Sequence, residues 1–273
     1  MCGSCGCASG DGTITNMQTG HQRSLDPHAH EHVRPDGSRY IHSHPAHGGG
    51  PQRDVVELNA RILARNDQSA SRNRAWFEGR GITALNLMSA PGAGKTTLLE
   101  RSIADLKAAR TLYVLEGDQA TDLDAVRVKA AGAAAAQINT GQGCHLDAEM
   151  VSRGIFELNP DAGALLFIEN VGNLVCPALF DLGETGRVAI LSVTEGDDKP
   201  LKYPHMFHAA DLLLLNKIDL LPHLDFDMDR AIGYARQVNP RIETLMVSAR
   251  TGEGMAAWLG WIEAWAARRN LPA

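Results

Sequence analysis

Leu85-Asn86-Leu87-Met88-Ser89-Ala90-Pro91-Gly92-Ala93-Gly94-Lys95-Thr96-Thr97 carries an apolar, strand-like run into a Gly-rich turn that ends in Gly-Lys-Thr and opens a helical pattern. This order of residues predicts a phosphate-binding loop. Gly92, Ala93 and Gly94 bring backbone N–H groups up to phosphate oxygens, Lys95 supplies a point charge for the β- and γ-phosphates, and the Thr96 hydroxyl, followed by Thr97, can ligate Mg2+. The usual first Gly of such a loop is Ser89, one departure from G-x-x-x-x-G-K-[ST].

The base is read further along the chain. Ala210-Asp211-Leu212-Leu213-Leu214-Leu215 makes a buried-type strand that ends in Asn216-Lys217-Ile218-Asp219, an N-K-x-D motif. The Asp219 carboxylate can accept from guanine N1–H and from the exocyclic amine, and adenine offers no such donor pair. Each lost charge-assisted bond costs about 1.5–3 kcal/mol, and a site built around substrate N–H groups rejects analogues lacking them by roughly 10⁴-fold. GTP is therefore the expected nucleotide. Ser248-Ala249-Arg250-Thr251-Gly252, after the strand-like Ile242 to Val247, fits a backbone contact to guanine O6.

A chain of 273 residues with 44% apolar content can hold a sizeable core, and a net charge of −6 argues against nucleic acid as a partner. No run of apolar residues is long enough to span a membrane and the N-terminus lacks a secretory pattern, so a cytoplasmic protein without a membrane partner is expected. Five Cys, three of them in the first seven positions, do not resemble a disulfide framework.

Residues 1 to 50 hold three Cys and seven of the eleven His with few apolar residues, and are expected to form a flexible metal-binding extension that buries no core. From residue 54 to 80, Val55, Leu58, Ile62 and Leu63 suit one face of a helix running to Trp76-Phe77 and packing outside a sheet. From 81 to 270, strands and helices alternate: strands near 83–88, 111–115, 136–139, 164–168, 187–193, 211–215 and 242–247, with helices over 95–108, 122–130, 147–157, 227–237 and 254–268. The Ala-rich run Ala130 to Ala136 reads as a helix end. Such alternation predicts an α/β domain, a mostly parallel sheet with helices on both faces and ligands at the carboxyl ends of the strands.

Glu116-Gly117-Asp118 and Glu169-Asn170-Val171-Gly172 both follow strands and place acids where Mg2+ and the γ-phosphate belong. Phosphoryl transfer needs charge neutralisation and an oriented water. Glu169 reads as the acid of the second nucleotide motif, Gly172 as the residue whose N–H meets the γ-phosphate, and Asp118 as a Mg2+-shell or water-positioning group. No arginine finger is evident near the loop, so slow hydrolysis is expected.

Cys2, Cys5 and Cys7 form a C-x-x-C-x-C cluster whose Gly and Ser spacers let three sulfurs surround one ion. If Met1 is removed, the Cys2 amine can be the fourth donor and the set suits square-planar Ni2+, while thiolates equally suit tetrahedral Zn2+. His21, His28, His30, His32, His42, His44 and His47 read as weak, exchangeable sites. Cys144-His145 and Cys176 border the nucleotide loops and can bind Ni2+ or Zn2+, in one chain or across a symmetric dimer.

Taken together, the phosphate loop, Glu116-Gly117-Asp118, Gly143-Cys144-His145-Leu146-Asp147, the run from Glu169 to Pro177, Thr194-Glu195-Gly196-Asp197-Asp198-Lys199-Pro200-Leu201-Lys202-Tyr203-Pro204 and Asn216-Lys217-Ile218-Asp219 resemble the HypB family of hydrogenase-maturation GTPases. The resemblance runs from Asn59 to Trp265 and includes the N-terminal Cys cluster. It implies a SIMIBI-type P-loop GTPase that forms a homodimer with nucleotide and helps insert nickel into the large subunit of [NiFe] hydrogenase, with a HypA-type metallochaperone as partner. It further implies tight nickel binding at Cys2, Cys5 and Cys7 and a weaker nickel or zinc site at Cys144, His145 and Cys176. The related urease GTPase UreG usually has Cys-Pro-His where this chain has Cys144-His145. A nickel or zinc storage protein with a regulatory nucleotide fold is the alternative of another class, and would show no linked GTP turnover.

Overall fold

The computed structural model describes residues 13–24, 30–33, 39–42, 55–118, 123–141 and 143–269. Its chain order is β1 (Thr13–Asn16), β2 (Gln22–Ser24), β3 (His30–Val33), β4 (Arg39–His42), α1 (Val55–Gly79), β5 (Thr83–Ser89), α2 (Lys95–Leu106), β6 (Leu112–Asp118), α3 (Leu123–Ala131) and β7 (Ala134–Asn139). There follow α4 (Ala148–Leu158), β8 (Leu165–Glu169), α5 (Cys176–Leu179), β9 (Gly186–Ser192), α6 (Lys199–Lys202), α7 (Pro204–Ala209), β10 (Leu212–Asn216), a 3-10 turn over Ile218–His223, α8 (Met228–Val238), β11 (Glu243–Val247) and α9 (Met255–Arg269).

One sheet runs in the order β11-β10-β9-β5-β8-β6-β7-β1-β2, and every pairing from β11 to β7 is parallel. Parallel strands covered on both faces read as unbroken apolar runs, and all seven residues of β5 are buried. Alternate side chains serve opposite layers. Leu85, Leu87, Val114, Phe167 and Leu214 meet Leu98, Leu99 and Ile103 of α2 and Trp258 and Ile262 of α9. On the other face Leu115, Ile138, Leu166 and Ile168 meet Phe77 of α1 and Val151 and Ile155 of α4, while Met88, Leu191 and Leu213 pack under α7 and α8. The mostly parallel α/β fold with helices on both faces is as the sequence indicates.

Three readings are corrected. The stretch before residue 50 does contribute to the core, because β1 pairs antiparallel with β7 and Ile14 is only 2% exposed. A short strand here covers what would otherwise be a free edge of β7. β3 and β4 pair antiparallel in a separate two-stranded unit. Secondly, Ala134 to Ala136 open β7 instead of ending a helix, since α3 stops at Ala131 and the chain turns at Gly132. Small side chains there let α3 and α4 sit close on the edge of the parallel strands.

The third correction concerns α1. Ile62 is 46% exposed, and the buried stripe is Asn66, Ser69, Ala70, Asn73 and Phe77. Asn66 accepts from Ala148 N (2.9 Å) and donates to Asp181 O (2.7 Å), while Asn73 donates to Ala148 O (2.7 Å) and Leu182 O (3.0 Å). The helix is docked by amides that satisfy loop backbone, with Phe77 as its apolar anchor. Apolar periodicity cannot see such a face. Among the described residues no helix is long and apolar enough to cross a membrane.

Candidate functional site

The carboxyl ends of β5, β6, β8 and β10 open onto a cavity of about 560 Å3, lined by Gly92, Gly94, Lys95, Thr96, Thr97, Glu116, Asp118, Glu169 and Gly172 among others. Lys95 begins α2 and is buried, its Nζ donating to Ser89 Oγ at 2.8 Å. The residue that departs from the usual loop pattern thus holds the lysine. Thr96 Oγ1 donates to Glu169 Oε1 at 2.8 Å. Gly172 packs so tightly on the loop that a Cβ would lie 3.0 Å from Pro91 Cα, so there is little room for a side chain at this point of contact with the phosphate loop.

The sequence assigns the role in Glu116-Gly117-Asp118 to Asp118, yet β6 pairs with β8 so that it is Glu116 that lies beside Glu169. Both are nearly fully buried, and in each the second carboxylate oxygen, Oε2, is buried without a hydrogen-bond partner among the described residues. Burial, reinforced by their mutual repulsion, pushes Glu116 up to about 9. Glu169 rises to about 7, again through burial, with Lys95 and Thr96 pulling the other way. Burial also lowers Lys95 against the attraction of Glu169 and Glu116. Two orphaned carboxylate oxygens next to a threonine hydroxyl are a hard oxygen donor set, which suits Mg2+.

Arg127 of α3, which the sequence did not single out, lines the same cavity. Its guanidinium is held by Glu100 (2.6 Å) and Asp124 (3.0 Å), which direct it along the cavity rim. Asp118, half-buried at the end of β6, lines the cavity as expected.

A second cavity of about 220 Å3 adjoins the first, lined by Gly94, Asn216, Lys217, Asp219, Ser248, Ala249 and Arg250 among others. Asn216 Nδ2 donates to Ala93 O (2.9 Å) and Lys217 Nζ to Gly92 O (2.6 Å), so the N-K-x-D turn is bolted to the phosphate loop. Lys217 takes a left-handed conformation to make this turn (φ 64°). Ser248 Oγ donates to Asp219 Oδ1 at 2.7 Å, which orients the carboxylate. The two motifs, far apart in sequence, share one wall.

The donor atoms of Cys144, His145 and Cys176 lie within 4.8 Å of one another, a spacing that one metal ion can bridge. Both cysteines are half-buried and His145 is buried. Phe180, which the sequence did not single out, stacks on the His145 ring at 3.9 Å between centroids. Burial pulls His145 down to about 4, so at neutral pH its imidazole is uncharged and has a lone pair to offer. Cys2, Cys5 and Cys7, with His28, His44 and His47, fall outside the described residues. His21 contacts Glu157 at 3.3 Å, and His30, His32 and His42 belong to β3 and β4.

Residues 83–246 match the family model described as CobW/HypB/UreG, nucleotide-binding domain. Hydrogenase maturation factor HypB of Azotobacter vinelandii is 54% identical over 279 residues, covering 96% of this chain and 92% of the relative. The chain belongs to the HypB family. The HypB of Escherichia coli is 56% identical over 215 residues, 79% of this chain and 74% of its own. Among solved structures, HypB from Helicobacter pylori in complex with nickel superposes with a TM-score of 0.72 at 34% identity, covering 77% of this chain and 98% of that one.

Proposed function

We propose that this HypB-family protein is a GTP-hydrolysing, cytoplasmic nickel metallochaperone that assists nickel insertion into the large subunit of [NiFe] hydrogenase. The observation that carries the reading is the joining of a phosphate cavity, a guanine-type N-K-x-D cavity and a Cys144-His145-Cys176 donor cluster at one end of one sheet. Residues 81–270 form the GTPase domain in this reading, 54–80 the helix docked on it, and 1–50 the extension that carries Cys2, Cys5 and Cys7.

Lys95 and the loop N–H groups hold the β- and γ-phosphates, and Asp219 with Ser248 and Ala249 reads guanine. Thr96, Glu169 and Glu116 would hold Mg2+, which when bound neutralises charge developing on the phosphates. Asp118 positions the attacking water and Gly172 senses the γ-phosphate. Nickel is cargo: the N-terminal thiolates take it tightly, and the inner Cys144, His145 and Cys176 take Ni2+ or Zn2+ with an affinity that depends on nucleotide, because Cys176 lies four residues after Gly172. A nucleotide-dependent homodimer and a HypA-type partner complete the scheme. Purified protein with Mg2+ should release phosphate from GTP and not from ATP. Equal turnover of the two would reject the guanine assignment, and inner-site metal affinity that ignores nucleotide would leave a GTPase carrying an inert metal.

A further inference from the structure

We propose that the pairing of β1 with β7 delivers the N-terminal Cys2, Cys5 and Cys7 segment to the Cys144-His145-Cys176 cluster of the same chain, so that a metal ion passes from one donor set to the other by thiolate exchange. The inference rests on the two-site reading proposed above and adds the route between the sites. Strand register carries it. β1 runs antiparallel to β7 with Thr13 opposite Asn139 and Asn16 opposite Ala136, while β7 runs parallel to β6 with Asn139 opposite Asp118. Thr13, Asn139 and Asp118 therefore lie in line across three strand ends. The chain enters β1 at the carboxyl end of the parallel strands, the end that carries the phosphate cavity and the metal donors. A parallel β1 would enter a strand length away, at the opposite end.

The Cys144-His145 loop stays close to that line. Thr140 N donates to Asp118 O (2.9 Å), Gly143 N to Thr140 O (2.9 Å) and Thr140 Oγ1 to Gly143 O (2.7 Å), and Leu146 fills the space beside Gly117. The turn thus folds back over the end of β6, and at about 4.8 Å per strand the cluster lies on the order of 10–15 Å from Thr13. Between Cys7 and Thr13 stand Ala8-Ser9-Gly10-Asp11-Gly12. A stretch of that length spans about 20 Å when extended, so Cys7 reaches the cluster while β1 stays in the sheet.

β1 is anchored by packing and by polar contacts. Ile14, opposite Ile138, is buried among Leu115, Ala136 and Ile155. Asn16 Nδ2 donates to Glu157 O (3.2 Å), and its Oδ1 accepts from Gln18 N (2.9 Å) and Thr19 N (3.1 Å). Lys129 Nζ donates to Met17 O, and Arg23 pairs with Glu157 at 3.6 Å. Such an anchor raises the effective concentration of the thiolates at the inner cluster. The handover is ligand exchange with no change in oxidation state. A Cys144 or Cys176 thiol gives its proton to solvent and its sulfur bonds to the ion, a bond from the ion to a sulfur of the N-terminal set breaks, and the freed thiolate takes up a proton. Exchange one bond at a time spares the ion from shedding all its donors before it leaves the tight site.

Placement is tested on the metal-free full chain carrying Cys2→Ala, Cys5→Ala and Cys176→Ala, which keeps only Cys7 and Cys144 as cysteines. In a glutathione redox buffer these should close a disulfide at the mass of one chain, with an effective concentration of about millimolar order. Ile14→Asp sets a carboxylate opposite Ile138 and frees β1, leaving Val55 at the start of α1 as the anchor. The tether is then about eight times longer, and the effective concentration should fall about tenfold or more. If Ile14→Asp fails to bind GDP and so has not folded, Asn16→Ala, which removes the bond to Glu157 O, takes its place with a fall in the same direction. A disulfide that joins two chains, or a value unchanged in the folded variant, overturns the placement by β1. Transfer is tested by loading one equivalent of Ni2+ on the parent full chain and following its release to excess EDTA. The rate should be independent of protein concentration, and Cys144→Ala with Cys176→Ala should slow it severalfold. Tight nickel binding with a release rate indifferent to Cys144 and Cys176 overturns the handover alone, whereas a parent that binds no nickel tightly overturns the two-site reading beneath it.

Discussion

Glu116→Gln should stabilise the metal-free, nucleotide-free protein, and by more as pH rises. Burial holds Glu116 at about 9 in the folded chain against an ordinary value of 4.5. Between those two values the unfolded chain has released a proton that the native state keeps. The group's contribution is thus fully present below 4.5 and is lost as pH climbs towards 9. Glu169, raised to about 7, adds the same sign over a narrower window, while the lowering of Lys95 by burial acts with the opposite sign. At about 1.4 kcal/mol per pH unit, raising pH from 5 to 8 removes on the order of 4 kcal/mol through Glu116. For a domain of this size each kcal/mol is about 2–4 °C in Tm. An uncharged amide of the same shape has no such window. Urea unfolding in EDTA at pH 5, 6, 7 and 8 should therefore give a clearly flatter stability profile for the variant, with the two proteins closest at pH 5. With saturating Mg2+ and GDP the order should reverse, since an amide is a poorer ligand than a carboxylate for a hard cation. Parallel pH profiles in EDTA would show that Glu116 is not held protonated, and the argument from its buried, unpartnered oxygen would fail.

Asp219→Ala should abolish guanine selectivity, and Ser248→Ala should weaken GDP binding by about 2- to 10-fold, the worth of one ordinary hydrogen bond; unchanged GDP affinity in the serine variant, read with a fluorescent nucleotide, would remove Ser248 from the base site. Arg127→Ala should change kcat by less than about tenfold, because Glu100 and Asp124 already engage the guanidinium, whereas a fall of about 10³ would show that it turns inward in the transition state. Cys2→Ala with Cys5→Ala should remove tight nickel binding while leaving GTP hydrolysis at its parent rate, and Cys144→Ala should abolish the effect of metal on turnover; hydrolysis that fails in the first pair would tie the extension to catalysis.

What the sequence disclosed best was carried by strong local patterns. The run from Leu85 to Thr97 became β5, loop and α2 within a residue or two of the expected bounds, and so did the strand before Asn216, because apolar runs bounded by Gly-rich or polar turns leave the backbone few alternatives. The misses share another character. The docked face of α1 is made of Asn66 and Asn73, whose partners lie 75 to 115 residues away, and no periodicity of apolar residues encodes that. β1 exists because β7 has an edge to cover, a fact of sheet order and not of Thr13 to Asn16 themselves. Glu116 gains its importance from Glu169 on the paired strand and Phe180 from the His145 ring, neighbours that only the fold supplies.

The same logic explains why the metal donors meet at all. Cys144-His145 follows β7 and Cys176 follows β8, and the sheet order places β6 between those strands. Two loops can close over an intervening strand end only if that end leaves space. Gly117 leaves it, because Leu146 occupies the volume that any side chain at 117 would need. Glu116 and Asp118, on either side of that glycine, line the phosphate cavity. The strand end that carries the acids of the phosphate cavity is thus also the floor of the loop that carries His145. A change in how the end of β6 sits, whether from a cation on Glu116 or a phosphate beside Asp118, would meet Leu146 by direct packing. The proposed nucleotide and metal sites are two sides of one strand terminus, and a side chain larger than hydrogen at position 117 should perturb both together.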